Sequence, residues 1–269
     1  MAREKRLLLF VLIVALLLSL TPSFAPYSPL QMNSKDRFRM PDMHYLLGTD
    51  RYGRDILSRI LYGSRTSALI ALASVGIAFT AGTTIGTVSG FVGGWIDTIF
   101  MRVVDILFAI PLMVLAIVIA GTIAGGVAGG IKGTIFTISI VYSPIFARVA
   151  RNTTWLIREE PFFEAARALG ADPSWIMLKH VVPNLLPICI SQVAILLPNA
   201  IVVEAALSFL GLGVNPPYPS LGSMLQEGRI YIDIFPWATV APAAALVIVV
   251  LVFNILSELL EQRFSSKRR

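Results

Sequence analysis

Cysteine occurs once in 269 residues, at Cys189, and histidine twice, at His44 and His180. A lone thiol inside an apolar run can form no intrachain disulfide and anchors no thiolate metal centre. Each histidine stands alone, so neither a Ser-His-Asp nor a Cys-His arrangement can be assembled, and no catalytic or metal-ligating residue is assigned. His180 reads as a capping or surface residue at a membrane edge. Charge is scarce as well: 14 % of residues are Asp, Glu, Lys or Arg, against about 25 % in soluble domains. The formal charge of +6 comes without a soluble basic face, which excludes nucleic acid as a partner. A phosphate loop is missing too. In GTIAGGVAGGIKG, residues 121–133, Lys132 follows Ile131 where the phosphate-loop pattern needs glycine, and no strand precedes it. The chain is therefore expected to bind no nucleotide and no other cofactor. No carboxylate pair lies within the apolar runs and no three-plus-three repeat is present, so the marks of an ion-driven carrier are lacking.

Apolar sequence is what abounds, at 56 % hydrophobic residues. Charge-free intervals run 7–34, 66–96, 106–131, 133–147, 181–203 and 234–257. A bilayer core needs roughly 20 helical residues, and all but the fourth interval supply them. The fourth is extended through Arg148 and Arg151, whose heads can snorkel to the interface. An all-α polytopic membrane protein with six transmembrane helices is the expectation. MAREKR followed by LLLFVLIVALLLSL reads as an uncleaved first span, because TPSFAPYSP offers no clean small-x-small cleavage site. With six spans, both termini, the 93–105 turn and the polar 151–187 interlude share one side. That side carries the larger share of Lys and Arg, and is cytoplasmic by the positive-inside rule.

The interlude RNTTWLIREEPFFEAARALGADPSWIMLKHVVPNLLP organises the rest. It is too polar to cross a bilayer. Pro161 suits a first helical turn, residues 162–169 are strong helix formers, Gly170 ends that helix, and Asp172-Pro173 opens another as N-cap and first-turn proline. A short helix lying across the membrane, a glycine turn and a second amphipathic helix would form a knob that a soluble partner could grip.

Elsewhere the sequence predicts a Pro-rich loop from residue 26 and then an amphipathic surface helix from Arg54. Its Ile56, Leu57, Ile60 and Leu61 would face lipid and its Arg54 and Arg59 water; a solvated connector is the other reading. The second span carries a small-residue stripe of Ser74, Ala78, Gly82, Gly86, Gly90 and Gly94, and the third a weaker one of Ala116, Ala120, Ala124 and Ala128. Both are read as helix-packing seams. GGWIDTIFMRVVDILFAIP between them reads as a turn, with Asp97, Arg102 and Asp105 pairing with each other or with a soluble partner. In the fifth span, interrupted by Pro187 and Pro198, Gln192 and Asn199 share a face. Gln192, Asn199 and Glu204 are the candidates for lining a translocation path; Glu204, near the far end, is equally readable as hydrated or paired. A short helix at 220–228, a last span from 236 to 257 and a basic tail at 261–269 complete the expectation.

Four separated stretches resemble a known family. Glu164-Ala165-Ala166, then Gly170, then His180-Val181-Val182-Pro183-Asn184 resembles the EAA loop of ABC-transporter permeases, with Val182 where leucine is common. LGTDRYGRDILSRILYGSR, GGWIDTIFMRVVDILFAIP and EAALSFLGLGVNPPYPSLGSML are similar to the C-type subunit of dipeptide/oligopeptide/nickel permeases, and the resemblance covers about residues 40–260. It implies a type I (MetI-like) importer core over 66–260, preceded by a first span and external loop in 1–65. It also implies a heterodimer with a B-type permease in the lipid bilayer, two ATPases that hold ATP and Mg and dock on the EAA loops, and an external substrate-binding protein. The coupling residues would be Glu164, Ala165, Ala166, Arg167, Gly170 and Pro183, with Pro183 and Pro187 passing displacement into the fifth span. Peptides are the expected cargo, with nickel chelates or oligosaccharides as alternatives within the family and a self-sufficient carrier or channel as the alternative class.

Overall fold

The computed structural model describes residues 21–124 and 130–265. The expected first span and the start of the chain lie outside them, as do the last tail residues. The described chain is helical: α1 Ile56–Val92, α2 Gly94–Phe108, α3 Leu112–Ala124, α4 Ile131–Arg158, α5 Pro161–Ala168, α6 Pro173–Ile176, α7 Val182–Phe209, α8 Leu221–Arg229 and α9 Trp237–Ser265. Four helical runs are long and apolar enough to cross a membrane: α1, α4, the run Pro173–Phe209 and Trp237–Leu259. Gly94–Phe108 and Leu112–Thr122 make a fifth if the pair, bent by 96°, counts as one broken span.

The expected surface helix and second span are a single helix. α1 starts at the N-cap Asp55, whose carboxylate accepts from Ser58 N at 2.7 Å, and runs 37 residues, about 55 Å at 1.5 Å per residue. That exceeds a hydrocarbon core of about 30 Å, so one helix has the length to hold both the expected surface helix and the expected second span. Nothing between Leu61 and Thr66 breaks the helix, and Gly63 gives room to the backbone of Ser220, 3.3 Å from where a Cβ would sit. Arg54 and Arg59 do not face water, being only 3 % and 2 % exposed.

α1 packs along α4 through the predicted small residues. A Cβ at Gly82 would lie 2.3 Å from Ser143 O, one at Gly86 2.1 Å from Ala147 O, and one at Gly90 2.8 Å from Arg151 O. The helices thus touch backbone to backbone, an approach open only to glycine. Ser139 Oγ donates to Ser74 O at 3.2 Å higher up the same seam, and Phe79 meets Phe146 edge-on at 5.7 Å. Gly94 is not part of the seam: it has φ +61° and open space around it, and with Gly93 at φ +71° it forms the left-handed turn out of α1. Ala116 and Ala120 are buried in the central core; the Ala124 side chain and Ala128 lie outside the described residues.

Three further expectations change. The stretch read as a turn after Gly93 is the helix α2, and its 96° bend into α3 falls at Pro111, which has no N–H to continue the ladder. Arg148 and Arg151, expected to snorkel, are paired with Asp105 and Asp97 of α2. Pro187 and Pro198 do not interrupt the fifth span, since α7 runs through both. The predicted short helix appears as α8, closed by a reciprocal cap in which Ser220 Oγ accepts from Ser223 N at 3.1 Å and Ser223 Oγ from Ser220 N at 2.9 Å. Beyond the central core, one apolar cluster joins Ile56, Leu221, Met224 and Phe235 at the α8 end, and another joins Ala150, Phe163, Ile176 and Leu185 at the opposite, loop end.

The seam generates a direct contrast. Gly86→Val should destabilise the fold by about 1–3 kcal/mol through overpacking, seen as a lower melting temperature in detergent. Gly76→Ala, on an open face of the same helix, should leave the melting temperature unchanged.

Candidate coupling loop and translocation face

The loop end is built around Phe163. α5 starts with Pro161 in its first turn, and buries Phe163 against Phe91, the rings meeting edge-on at 6.1 Å. Ala166, one turn on, is half-buried against the same cluster. This leaves Glu164, Ala165, Arg167 and Ala168 facing outward. The helix is closed by Leu169 N to Ala165 O at 3.1 Å, Gly170 N to Arg167 O at 3.0 Å and Ala171 N to Ala166 O at 3.1 Å. Gly170 has φ +77° and no neighbour within reach of a Cβ, so the turn demands its backbone freedom and not its small size. Asp172 then caps α6, accepting from Ser174 N at 3.0 Å and Trp175 N at 3.4 Å.

α6 does not stop before the span. It widens into a single π-turn, Met177–Val181, and continues as α7 with Pro183 in the first turn. Pro183 lacks the N–H that would bond Lys179 O and its ring would crowd that carbonyl, which accounts for the wider turn. The ring of His180 is half-buried, 5.5 Å from Phe162 and 5.1 Å from Trp175, and so fastens α5 to the turn rather than capping a helix. The knob's outer surface shows Leu169 at 88 %, Leu178 at 64 % and Trp175 at 48 % exposure beside Glu164 and Arg167. Apolar groups of that size in open view, rimmed by charge, are the composition of a surface that meets protein or membrane.

The path candidates separate. Gln192 is half-buried and Asn199 exposed, in one stripe with the exposed Ile195 and Val202; Asn199 Nδ2 donates to Ile195 O at 2.9 Å. Glu204 is on another face with no exposure at all. Its Oε1 accepts from Ser208 Oγ at 2.7 Å, and Ser208 Oγ in turn accepts from Val214 N at 3.0 Å. Here α7 meets the start of α8 so closely that a Cβ on Gly222 would fall 2.2 Å from Ala205 O. Glu204 is thus half-paired, with Oε2 buried and without a hydrogen-bond partner among the described residues, and it lines no accessible face of this chain.

Sequence reasoning missed the ionic core of the α8 end. Arg54 Nε and Arg59 Nη1 both meet Asp50 Oδ2, at 2.6 and 2.5 Å, while Arg54 Nη2 and Arg59 Nη1 both reach Glu227 Oε2, at 2.6 and 2.9 Å. Arg59 Nη2 adds a bond to Glu227 Oε1 at 3.1 Å, and the Arg54 guanidinium sits 4.6 Å from the Tyr52 ring centre. Two arginines and two carboxylates thereby bolt the start of α1 to α8. Burial pushes the Glu227 carboxyl up, but the Arg59 and Arg54 guanidinium groups outweigh it and hold the group below its ordinary value.

The described residues thus form a bundle of helices long and apolar enough to span a membrane, with a buried ionic clasp at one end and a protruding two-helix loop at the other. The comparisons make the family plain: residues 82–266 match the family described as "Binding-protein-dependent transport system inner membrane component", and the chain belongs to it. It is 35 % identical over 99 % of its length to 88 % of the dipeptide transport system permease protein DppC of Alkalihalophilus pseudofirmus. It is 34 % identical over 96 % of its length to 85 % of the glutathione transport system permease protein GsiD of Pectobacterium atrosepticum. In fold it resembles a chain of the inward-facing MetNI methionine ABC transporter, with TM-score 0.60 and 20 % identity over 77 % of this chain and 96 % of that one. A chain of an amino acid ABC transporter crystallised with histidines matches with TM-score 0.55 and 19 % identity, over 76 % of this chain and 94 % of that one.

Because the folded carboxyl of Glu227 is depressed, its contribution is full above the ordinary carboxylate range and is lost as pH falls through the lower folded value. Thermal melts of the wild type should therefore drop steeply on acidification below about pH 4.5, the ordinary glutamate value. Glu227→Gln, which leaves two buried arginines short of a counter-charge, should lose about 3–5 kcal/mol at neutral pH and show a flatter acid limb.

Proposed function

We propose that this chain is the C-type permease of an ATP-driven importer for short peptides, and that the 159–181 loop is where a cytoplasmic ATPase drives it. In this reading it pairs with a B-type permease, two ATPases hold ATP and Mg, and an external binding protein delivers cargo; the chain itself hydrolyses nothing and holds no cofactor. Both termini and the loop face the cytoplasm. The observation that carries the proposal is the geometry of the knob: Phe163 and Ala166 anchor α5 inward, which turns Glu164, Ala165 and Arg167 to the partner. Ala165, and Ala168 beside it, keep the surface low so that an ATPase groove can close on it, and Glu164 and Arg167 supply polar contacts. Pro183 lies in an unbroken helical run from Pro173 to Phe209, so displacement of the knob reaches mid-membrane without a hinge. Peptides are favoured as cargo by the relatives that transport dipeptides and glutathione.

The Gln192–Asn199 stripe supports a path on that face of α7. Asn199 spends its Nδ2 on Ile195 O, but its exposed amide oxygen cannot be satisfied by lipid tails, which favours water or another protein surface on this face, as on the wall of a translocation route between two permeases.

The test is purification of the chain with the products of its neighbouring genes, followed by ATP hydrolysis with and without peptide-loaded binding protein. A complex with a second permease and two ATPases, stimulated by peptide, is the expected result; a chain that purifies alone and still moves solute in vesicles would overturn it. Within that complex, Gly170→Pro, which cannot adopt φ +77°, and Glu164→Lys should each leave membrane insertion intact and abolish peptide uptake. Normal uptake by either variant would remove the coupling assignment.

A further inference from the structure

Two ion pairs join α2 to the last turns of α4. Arg151 grips Asp97 through Nε to Oδ1 at 3.0 Å and Nη2 to Oδ2 at 2.6 Å, and Ser89 Oγ donates to the same Oδ1 at 2.5 Å. Asp97 is 6 % exposed. Further along α2, Asp105 accepts from Arg148 Nη2 at 2.7 Å, and that guanidinium lies 3.9 Å from the Phe108 ring centre. Little else holds α2: Asp97 and Val104 are its buried residues, while Trp95, Ile99, Val103 and Ile106 face outward.

The same stretch of α4 leads straight into the knob. It ends at Arg158, whose Nη1 donates to Gly90 O at 2.9 Å, and α5 starts at Pro161. At its other end α2 bends by 96° into α3, whose Ala116 and Ala120 are packed in the central core. A bidentate pair shielded from water resists separation, because either charge left alone would lack both partner and solvent.

We propose that Asp97 and Arg151 are positioning residues that make α2 a strut, a second route by which displacement of the knob enters the membrane domain. When the knob shifts, the end of α4 shifts with it, Arg151 carries α2 along, and the movement arrives at the α2–α3 bend and so at α3. Asp105–Arg148, the more exposed pair at 55 % and 42 % side-chain exposure, steadies the far end of the strut. The inference rests on the knob being the site of ATPase coupling, as proposed above.

The experiment uses the full assembly with its ATPases and a Cys189→Ser background. Spin labels placed through Ile99→Cys on α2 and Leu169→Cys on the knob report their separation with and without ATP, alongside uptake of labelled Ala-Ala per ATP hydrolysed. With the pair intact the separation should be the same in both nucleotide states, and it should become nucleotide-dependent in Asp97→Asn and in Arg151→Gln. Those variants should lose about five-fold or more in uptake per ATP, the lower range of energetic coupling between sites, and the exchange Asp97→Arg with Arg151→Asp should recover most of it. An unchanged separation and an unchanged uptake ratio in the single variants would overturn the strut, even if their yield or melting temperature fell. A second label pair, Met43→Cys on the first loop with Leu169→Cys on the knob, reports whether ATP moves the knob at all; an unchanged separation of that pair with Asp97 and Arg151 intact would overturn the coupling reading itself, and the strut with it.

Discussion

The structure depends on one close approach, the backbone contact of α1 with α4 along Gly82, Gly86 and Gly90. In lipid, helices gain little from burying apolar surface against one another, and association relies on packing and on polar contacts. Three positions without side chains let α1 and α4 meet where any Cβ would strike Ser143, Ala147 or Arg151. Everything at the loop end follows from that contact. It sets Phe91 beside Phe163, Gly90 O beside Arg158 and Ser89 beside Asp97, so the knob rests on a seam that cannot slide without a clash.

Charge is used sparingly and at the two ends. At the α8 end, Arg54 and Arg59 are folded inward onto Asp50 and Glu227, joining the start of α1 to the helix that follows α7. At the loop end, Asp97 and Asp105 take Arg151 and Arg148. Between them the spans carry Glu204, kept out of view by Ser208 and the start of α8. This division suits a protein whose middle must pass solute while its ends must keep their shape. The ends are ionic, and directional; the middle is small residues and aliphatic packing.

Much of this was legible in the sequence, and the remainder was illegible for identifiable reasons. Pro161, Gly170 and Asp172-Pro173 act through local backbone chemistry, so the knob could be drawn residue by residue, and the glycine period marked a packing seam on α1 without naming α4 as its partner. Gly94 broke the pattern because a four-residue period continues on paper past the point where two glycines turn the chain. Arg54 and Arg59 read as a wet face because their counter-charge, Glu227, lies 173 and 168 positions away, beyond any periodicity. Asp97 and Arg151 are 54 apart and had the same obscurity. The prolines of α7 misled in the other direction: a proline in a membrane helix need not end it, and the helix runs on through both, Pro187 and Pro198 forgoing only the bonds to the carbonyls of Pro183 and Ala194.

In the proposed coupling an ATPase grips the outward face of the knob. Ala168 lies on that face and is exposed, which makes it a clean reporter. With Cys189→Ser in place, Ala168→Cys carrying a short photoactivatable cross-linker should couple to the co-purified ATPase, and the yield should change between nucleotide-free and ATP-bound states. The same linker at Met43→Cys, 96 % exposed on the first loop, should give no ATPase adduct. An adduct from Met43 and none from Ala168 would place the ATPase at the other end of the bundle and contradict the account.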